Sequence, residues 1–350
     1  MTNKQLENFK LIFLLKKVDS LGDVKIRRIV EKFSSIEKLQ NSDPYIIQSL
    51  VGISDKRCFE LEEVLNNIAR FSEEFVKQLE MMKSNNVNVI TILDENYPSN
   101  LKNIYDAPVL LYYIGQLQES DRYSIAIVGT RTPSDYGRKV CLDITKALAN
   151  KGIPVISGLA IGIDSIAHNA CLDEGGLTYA ILGSGVLNLY PPDNKILYDK
   201  IKERGAVISE FDIFSKAEKV NFPRRNRVVS GISLGTLIVE SREKGGSLIT
   251  AEFALDQNRE LFAVPGNINS KNSLGCNNLI KNGYAKLVTN VDDLLCELNM
   301  KISDIVNQEK KVTYKNEPKD LNVFENIIYN VLNDVEPLNI DKISELTKLN

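Results

Sequence analysis

The feature that most constrains the fold is a regular alternation, between residues 125 and 288, of short apolar runs with helical stretches. Each run has the length of a strand and is apolar throughout, which is typical of strands buried on both faces of a parallel sheet. The intervening helical stretches, for example 138–149 and 248–256, would cover those faces. We therefore predict a doubly wound, Rossmann-like α/β domain over residues 83–297. Its strands are expected at 87–92, 109–114, 125–128, 154–157, 179–182, 206–209, 237–239, 261–264 and 286–288.

Two regions flank this predicted domain. Residues 1–82 carry apolar side chains at three- and four-residue spacing with breaks at Gly22 and Gly52, which predicts a small helical, SAM-like or helix-hairpin-helix-like domain. Such hairpins either offer backbone N–H groups to phosphate or serve as a packing or partner-binding unit. Residues 298–320 are polar and lysine-rich, so we interpret them as a linker. Residues 321–350 resemble a truncated, partial winged-helix-like segment.

The amino-acid composition narrows the classes of function that this chain can have. The five cysteines form no C-x-x-C pair and His168 is the only histidine, which argues against a zinc site or a disulfide framework and favours a reducing compartment. The apolar stretch 11–15 ends at Lys16 and is too short to span a bilayer, so we expect a cytoplasmic protein without a membrane partner. The formal net charge of −3 counts mildly against nucleic-acid binding. A local arginine cluster remains attractive, because screening confines its field to about 8 Å.

The ends of the predicted strands are rich in small residues. In open parallel sheets, ligands bind outside the carboxyl ends of the strands. Small residues there let the backbone approach a ligand, and each following helix presents free N–H groups and the positive end of its dipole. The convergence of several such ends predicts an anion or phosphate site. The candidate residues from these turns are Gly129, Thr130, Arg131, Ser157, Gly158, Ala160, Gly162, Asp164, Gly246 and Ser247.

A basic cluster at 222–231 supplies further candidates. We place Arg225, Asn226 and Arg227 in a helix that starts after the proline of this cluster, where guanidinium groups would grip phosphate bidentately. The alternative is a solvated charged turn. Lys195 adds a further cation after the third long strand. The aromatic residues of the same rim either stack on bases or pack in the fold; they are Tyr136, Tyr190 and Phe222.

Several enzyme classes find no support in the motifs. The first turn, at 129–133, lacks the G-x-G-x-x-G spacing of dinucleotide-binding proteins, and no P-loop sequence occurs. Asp164 and His168 lie four residues apart and share a helical face. Either they form a catalytic dyad, or Asp164 has a structural role in bonding backbone N–H groups. Since no nucleophile beside a base can be placed, we expect no catalytic residue, no metal and no cofactor.

The motifs, taken in order over residues 90–297, resemble those of the DprA/Smf (DNA-processing protein A) family. They are Val128-Gly129-Thr130-Arg131, Ser157-Gly158-Leu159-Ala160-x-Gly162-Ile163-Asp164, Gly183-x-Gly185 with Tyr190-Pro191, Phe222-Pro223-x-Arg225-Asn226-Arg227, Gly246-Ser247-Leu248 and Val264-Pro265-Gly266. The resemblance implies a non-enzymatic, usually homodimeric protein that binds and protects single-stranded DNA and loads the RecA recombinase during natural transformation. It implies DNA contacts from Arg131, the 158–164 turn, Lys195, Arg225 to Arg227 and Ser247.

One enzyme remains as an alternative. The segment from Gly231 through Gly235-Thr236 to Glu240 faintly resembles a pattern of nucleoside-monophosphate phosphoribohydrolases, which share a Rossmann-like fold. A phosphate site suits such an enzyme equally well. The segment lacks the Gly-Gly pair of that pattern, and the dense arginine cluster suits a polyanion better.

Overall fold

The computed structural model describes residues 1–19, 21–118 and 122–297, all within one unit, Met1–Asn299. The predicted linker at 298–320 and the predicted winged-helix-like segment at 321–350 lie outside the described residues. The strands are β1 (Asn88–Thr91), β2 (Leu110–Gly115), β3 (Ile125–Val128), β4 (Val155–Ser157), β5 (Thr178–Ile181), β6 (Ala206–Ser209), β7 (Gly235–Ile238), β8 (Glu260–Ala263) and β9 (Lys286–Leu287).

The helices alternate with these strands after an all-helical beginning. They are α1 (Asn3–Leu15), α2 (Asp23–Phe33), α3 (Ile36–Gln40), α4 (Pro44–Val51), α5 (Asp55–Asn66), α6 (Ile68–Ser84), α7 (Ser99–Lys102), α8 (Asp135–Asn150), α9 (Ile163–Asp173), α10 (Lys195–Arg204), α11 (Asn221–Ile232), α12 (Ser247–Asp256) and α13 (Leu274–Lys281). A 3₁₀ turn, Pro192–Asn194, precedes α10, and residues 291–297 are also helical.

The strands form one nine-stranded sheet in the order β1-β2-β6-β5-β4-β3-β7-β8-β9. Strands β3 to β9 pair in parallel, whereas β1 and β2 join antiparallel beside β6. From β3 the chain proceeds outward to β6 and then returns across β3 to β7. The connections after these two central neighbours therefore leave in opposite directions, and a crevice opens at their carboxyl ends. This topology confirms the predicted doubly wound α/β fold with a mostly parallel sheet.

Six helices occupy the amino-terminal region, where the sequence predicts a helical unit. The predicted breaks are helix ends: Gly22 is the N-cap of α2, and Gly52 ends α4 in a left-handed conformation with φ of 60°. The helices pack on the sheet through an aromatic cluster. The ring centroid of Phe9 lies 5.2 Å from that of Phe75 and 6.2 Å from that of Tyr112 on β2. The helices and the sheet therefore share one hydrophobic core, while the domain boundaries inferred from sequence stay a prediction.

In the part of the chain that the structure describes, none of the helices combines the length and the apolar character needed to cross a membrane.

Replacement of Phe9 tests the shared core. Phe9 is fully buried, so we expect Phe9→Ala to lower the free energy of unfolding by about 3–5 kcal/mol, through lost apolar contacts and a cavity. Urea unfolding followed by circular dichroism measures the change. Phe59→Ala is the matched control, because Phe59 lies in the same helical region but is 69% exposed. Equal effects of the two substitutions would contradict the shared core.

Candidate functional site

A cavity of about 290 Å³ opens at the carboxyl ends of β3, β4 and β7, at the crevice that the topology creates. It is lined by the turns after these three strands, by helix α11 and by the first turn of α12. Its lining residues are Val128, Gly129, Thr130, Arg131, Gly158, Ala160, Asp164, Phe222, Pro223, Arg225, Asn226, Val229, Ser241, Arg242, Gly245, Gly246, Ser247, Ile249 and Thr250.

The structure brings most of the predicted site residues to this cavity. Ten of the fourteen line it: Gly129, Thr130, Arg131, Gly158, Ala160, Asp164, Arg225, Asn226, Gly246 and Ser247. They come from the turns after β3 and β4, from helix α11 and from the start of α12, so only the tertiary fold places them side by side.

Two predicted residues shape the site from behind its wall. Ser157 is fully buried, and its hydroxyl donates to the carbonyl oxygen of Ile127 at 2.6 Å. Gly162 has a φ of 94°, and a Cβ at this position would lie 2.4 Å from the carbonyl oxygen of Thr130. Glycine is therefore required there, since both the conformation and the close approach exclude a side chain. Both residues fix the turn that follows β4.

The other two predicted residues do not reach the cavity wall, which corrects their grouping with the rest. Lys195 is exposed at the start of α10, where its ammonium pairs with the Asp199 carboxylate one turn later. Arg227 is buried on the far side of α11, where its guanidinium pairs with Glu210 and donates to the carbonyl oxygen of Asp106. Residues two apart on a helix point in nearly opposite directions, so Arg225 and Arg227 cannot face the same cavity. Helix α11 also begins at Asn221, before the proline and not after it.

Arg225 and Asp164 organise the floor of the cavity. The guanidinium of Arg225 donates to the carbonyl oxygens of Gly158 and Ile181, at the ends of β4 and β5. The carboxylate of Asp164 accepts from the backbone N–H groups of Gly158 at 3.1 Å and Ala160 at 3.3 Å. Burial lowers the pKa of Arg225 to about 10, and Asp164 opposes that shift. Burial raises the pKa of Asp164, and Arg225 opposes that shift in turn. Arg225 and Asp164 thus hold the turn after β4 by hydrogen bonds.

Two exposed arginines provide the cationic groups that face solvent at the rim. Arg131 makes no hydrogen bond or ion pair with any other residue that the structure describes, and Arg242 has one contact, a 3.4 Å hydrogen bond from Nε to the side-chain oxygen of Asn272. Sequence reasoning missed Arg242. The signal was present, because Arg242 lies in the Gly- and Ser-rich turn after β7 that was singled out for other residues. Three guanidinium groups and one carboxylate thus line the cavity, which favours an anion.

Two helix N-termini near the site differ in charge. At α8, the backbone N–H and the hydroxyl of Ser134 both donate to the buried Glu240 carboxylate, at 2.9 and 2.5 Å. A carboxylate of the protein thus already occupies the positive end of that helix. The first turn of α12 contains no acidic residue, and Gly246 and Ser247 at its start line the cavity. The positive end of α12 is therefore available to a bound anion.

The three aromatic residues of the rim have different surroundings. The hydroxyl of Tyr136 donates to the carbonyl oxygen of Pro265 at 2.7 Å, which ties it to the turn after β8. The rings of Tyr190 and Phe222 contact each other with centroids 5.6 Å apart, and Phe222 also lines the cavity. Tyr136 thus has a structural contact, whereas Phe222 lines the cavity and Tyr190 packs against Phe222 beside it.

His168 is fully buried below the site. Its Nδ1 lies 2.7 Å from the hydroxyl oxygen of Thr178, and burial lowers its pKa from 6.5 to about 3. Neutral and enclosed, it does not line the cavity and makes no pair with Asp164. Among the residues that the structure describes, no cluster of three or more His, Cys, Asp or Glu side chains could hold a metal ion.

The buried histidine predicts a pH dependence of stability. Between pH 6.5 and about 3 the unfolded chain takes up a proton at His168 that the folded chain does not, so the free energy of unfolding falls as the pH falls. From pH 6.5 to pH 5 we expect this group to remove about 2 kcal/mol. Urea unfolding at several pH values, compared between the parent chain and His168→Asn, isolates the effect. Parallel stability curves for the two proteins would contradict it.

A family model described as DNA recombination-mediator protein A matches residues 88–299 of the sequence. The chain belongs to this family. The resemblance to DprA/Smf proteins that the motif order indicates is thereby confirmed. The match covers the whole cavity and begins at β1, after the amino-terminal helices.

Named relatives agree with this assignment. Protein Smf from a Synechocystis species is 35% identical over 285 residues, which cover 80% of this chain and 70% of that protein. DNA processing protein DprA from Streptococcus pneumoniae is 43% identical over 207 residues, which cover 59% of this chain and 73% of that protein.

Two solved structures of DNA processing protein A share the fold. The X-ray structure from Streptococcus pneumoniae matches with a TM-score of 0.70 at 35% identity, over 85% of this chain and 99% of that one. The structure from Helicobacter pylori matches with a TM-score of 0.55 at 27% identity, over 62% of this chain and 96% of that one, and is described for its single-stranded-DNA binding mode.

Proposed function

We propose that this recombination mediator binds single-stranded DNA by holding its phosphate backbone in the cavity at the carboxyl ends of β3, β4 and β7. The observation that carries the proposal is the convergence of Arg131, Arg242 and the uncapped start of α12 on one crevice. Guanidinium groups and a helix N-terminus are the groups that bind phosphate in proteins. The Helicobacter pylori relative, whose structure is described for single-stranded-DNA binding, supports the choice of a polynucleotide over a free nucleotide.

Phosphate contacts carry no sequence information, so the proposed binding has little sequence preference. The aromatic pair Tyr190 and Phe222 at the cavity would add stacking that every base can satisfy. The low pI does not oppose the proposal, because exposed arginines act locally under physiological screening.

The proposal extends to partners, to location and to the absence of catalysis. By the resemblance to its family, the protein acts as a homodimer that protects single-stranded DNA, loads RecA onto it and catalyses no reaction itself. The five cysteines are free thiols, which fits the reducing cytoplasm where such a process takes place.

The position of one residue bears on the phosphoribohydrolase alternative. Glu240, the carboxylate of the segment that resembles those enzymes, is 2% exposed and bonded to Ser134, and it does not line the cavity. Of the carboxylates in the described residues, Asp164 lines the cavity, and its oxygen accepts from two backbone N–H groups. This arrangement favours binding over hydrolysis.

Salt dependence tests the phosphate contacts. We expect a labelled dT oligonucleotide to bind more tightly than a duplex of equal length, with the logarithm of affinity falling by about 0.7 per neutralised phosphate as the logarithm of salt concentration rises. Fluorescence anisotropy over a salt series measures both quantities. Absence of binding at low salt, together with release of free base from a nucleoside monophosphate, would replace the proposal with the hydrolase alternative.

Single substitutions test the two exposed arginines. Arg131→Ala and Arg242→Ala should each weaken binding by about tenfold on every oligonucleotide sequence and lower the salt slope by about 0.7, because each removes one phosphate contact. Arg138→Ala is the matched control, since Arg138 is exposed on the nearby helix α8 and does not line the cavity. If a variant keeps the affinity and the salt slope of the parent chain, the arginine that it lacks does not contact DNA.

A further inference from the structure

Helix α11 carries charged groups on two opposite faces. Arg225 and Asn226 line the anion cavity, whereas Arg227 faces the amino-terminal helices and the loops before β2 and after β6. A helix turns by about 100° per residue, so Arg225 and Arg227 leave it in nearly opposite directions. A movement of the helix that disturbs one of these arginines therefore disturbs the other.

Arg227 is enclosed by three carboxylates from three different segments. Its Nη2 lies 2.5 Å from Glu210 Oε2 and 3.8 Å from Asp23 Oδ2, and its Nε lies 3.4 Å from Asp106 Oδ2. The side chain of Arg227 is 6% exposed and that of Glu210 is 3% exposed. The Arg227–Glu210 pair is therefore weakly screened and depends strongly on geometry, whereas Asp106, whose side chain is 44% exposed, contributes a more strongly screened contact. This cluster therefore fixes the rotation of α11 about its axis.

Asp23 brings the amino-terminal helices into the same cluster. It is the first residue of α2, and its side chain is 17% exposed. The N-terminus of α2 is thus turned toward Arg227 and carries its own carboxylate. An acidic group there disfavours a second anion, so the structure gives α2 a supporting contact in place of a phosphate site.

The rear of α11 has a further attachment to the wall of the cavity. The side-chain amide nitrogen of Gln257 donates to the carbonyl oxygen of Arg227 at 2.9 Å, and the hydroxyl of Ser230 donates to the Gln257 amide oxygen at 2.7 Å. Gln257 is the C-cap of α12, whose first turn lines the cavity. The two helices that bound the anion site are therefore joined behind it.

We propose that Arg227 is a positioning residue. By anchoring α11 to the carboxylates of Asp23, Asp106 and Glu210, it holds Arg225 and Asn226 at the anion cavity. Through Asp23, the amino-terminal helical unit thus supports DNA binding without touching DNA. This inference rests on the proposed function for its binding consequence, and it makes a structural claim about α11 that stands separately.

Asp23→Asn is the decisive variant, because a positioning role and simple electrostatics predict opposite changes in the affinity for single-stranded DNA. The substitution removes a negative charge, so simple electrostatics predicts tighter binding of single-stranded DNA. A positioning role predicts weaker binding, by between about twofold and about 30-fold, the range of indirect coupling. The salt slope should stay unchanged, because no phosphate contact is lost. Fluorescence anisotropy with a labelled dT oligonucleotide over a salt series gives both values.

Asp55→Asn is the matched control. Asp55 is also the first residue of a helix in the amino-terminal unit, but its carboxylate bonds Gln48 and has no contact with α11. The control makes the same change in net charge at the same helix position. It should leave the affinity at or slightly above that of the parent chain.

Arg227→Gln supplies a second measurement on the same cluster. It should weaken binding with an unchanged salt slope, whereas loss of a direct phosphate contact would lower the slope by about 0.7. Thermal unfolding of each variant identifies a protein that has lost its fold, in which case Asp23→Asn decides alone. A lower slope for Arg227→Gln, or unchanged or tighter binding for Asp23→Asn, would overturn the positioning role.

Hydrogen exchange examines the structural claim without DNA. In Asp23→Asn, amides of α11 and of the 158–162 turn should exchange faster than in the parent chain, whereas Asp55→Asn should leave them unchanged. Equal exchange in the two variants would overturn the inference. Faster exchange in a chain that binds no single-stranded DNA would instead refute the proposed function and leave the coupling in place.

Discussion

The guanidinium of Arg225 joins helix α11 to the carboxyl ends of two strands, and the rest of the anion site depends on this contact. It donates to the carbonyl oxygens of Gly158 and Ile181, while Asp164 holds the N–H groups of the same turn. A Cβ on residue 158 would lie 2.3 Å from the guanidinium, so a side chain there would displace Arg225 from these hydrogen bonds. Burial of a charge costs free energy unless the charge is paired and hydrogen-bonded. These partners therefore allow Arg225 to be buried in the folded protein.

The arginines of this chain divide into two kinds. Arg225 and Arg227 are buried, and their partners are carbonyl oxygens and carboxylates of the protein. Arg131 and Arg242 are exposed at the rim of the same cavity. The buried pair is held by the fold, and in the proposed function the exposed pair attracts phosphate. This division explains how a chain with a formal net charge of −3 presents a cationic crevice, because the field that a ligand meets is local.

Much of the fold could be predicted from periodicity. The observed strands β3, β4 and β6 coincide closely with apolar runs of the sequence, since strands buried on both faces are apolar nearly throughout. Gly162 and Ser157 were named as candidates for the site, and the structure places both in the turn that follows β4, behind the cavity wall. The start of α11 was placed too late, because proline is tolerated in a first helical turn, where its missing N–H needs no partner. Arg242 was missed although it lies in the Gly- and Ser-rich turn after β7, because that turn was considered for its small residues and not for its cation.

The sequence by itself determined the doubly wound sheet, the family and the edge of the sheet at which the cavity opens, because these follow from local spacing and from the order of short motifs. Only the tertiary structure decided which cations face the cavity. Arg225 and Arg227 are two positions apart in one motif, yet one lies at the anion site and the other lies among three carboxylates behind it. The direction of a side chain depends on the rotation of its helix against neighbours that are distant in sequence. Asp23 and Asp106, which help to set that rotation, lie more than a hundred residues away.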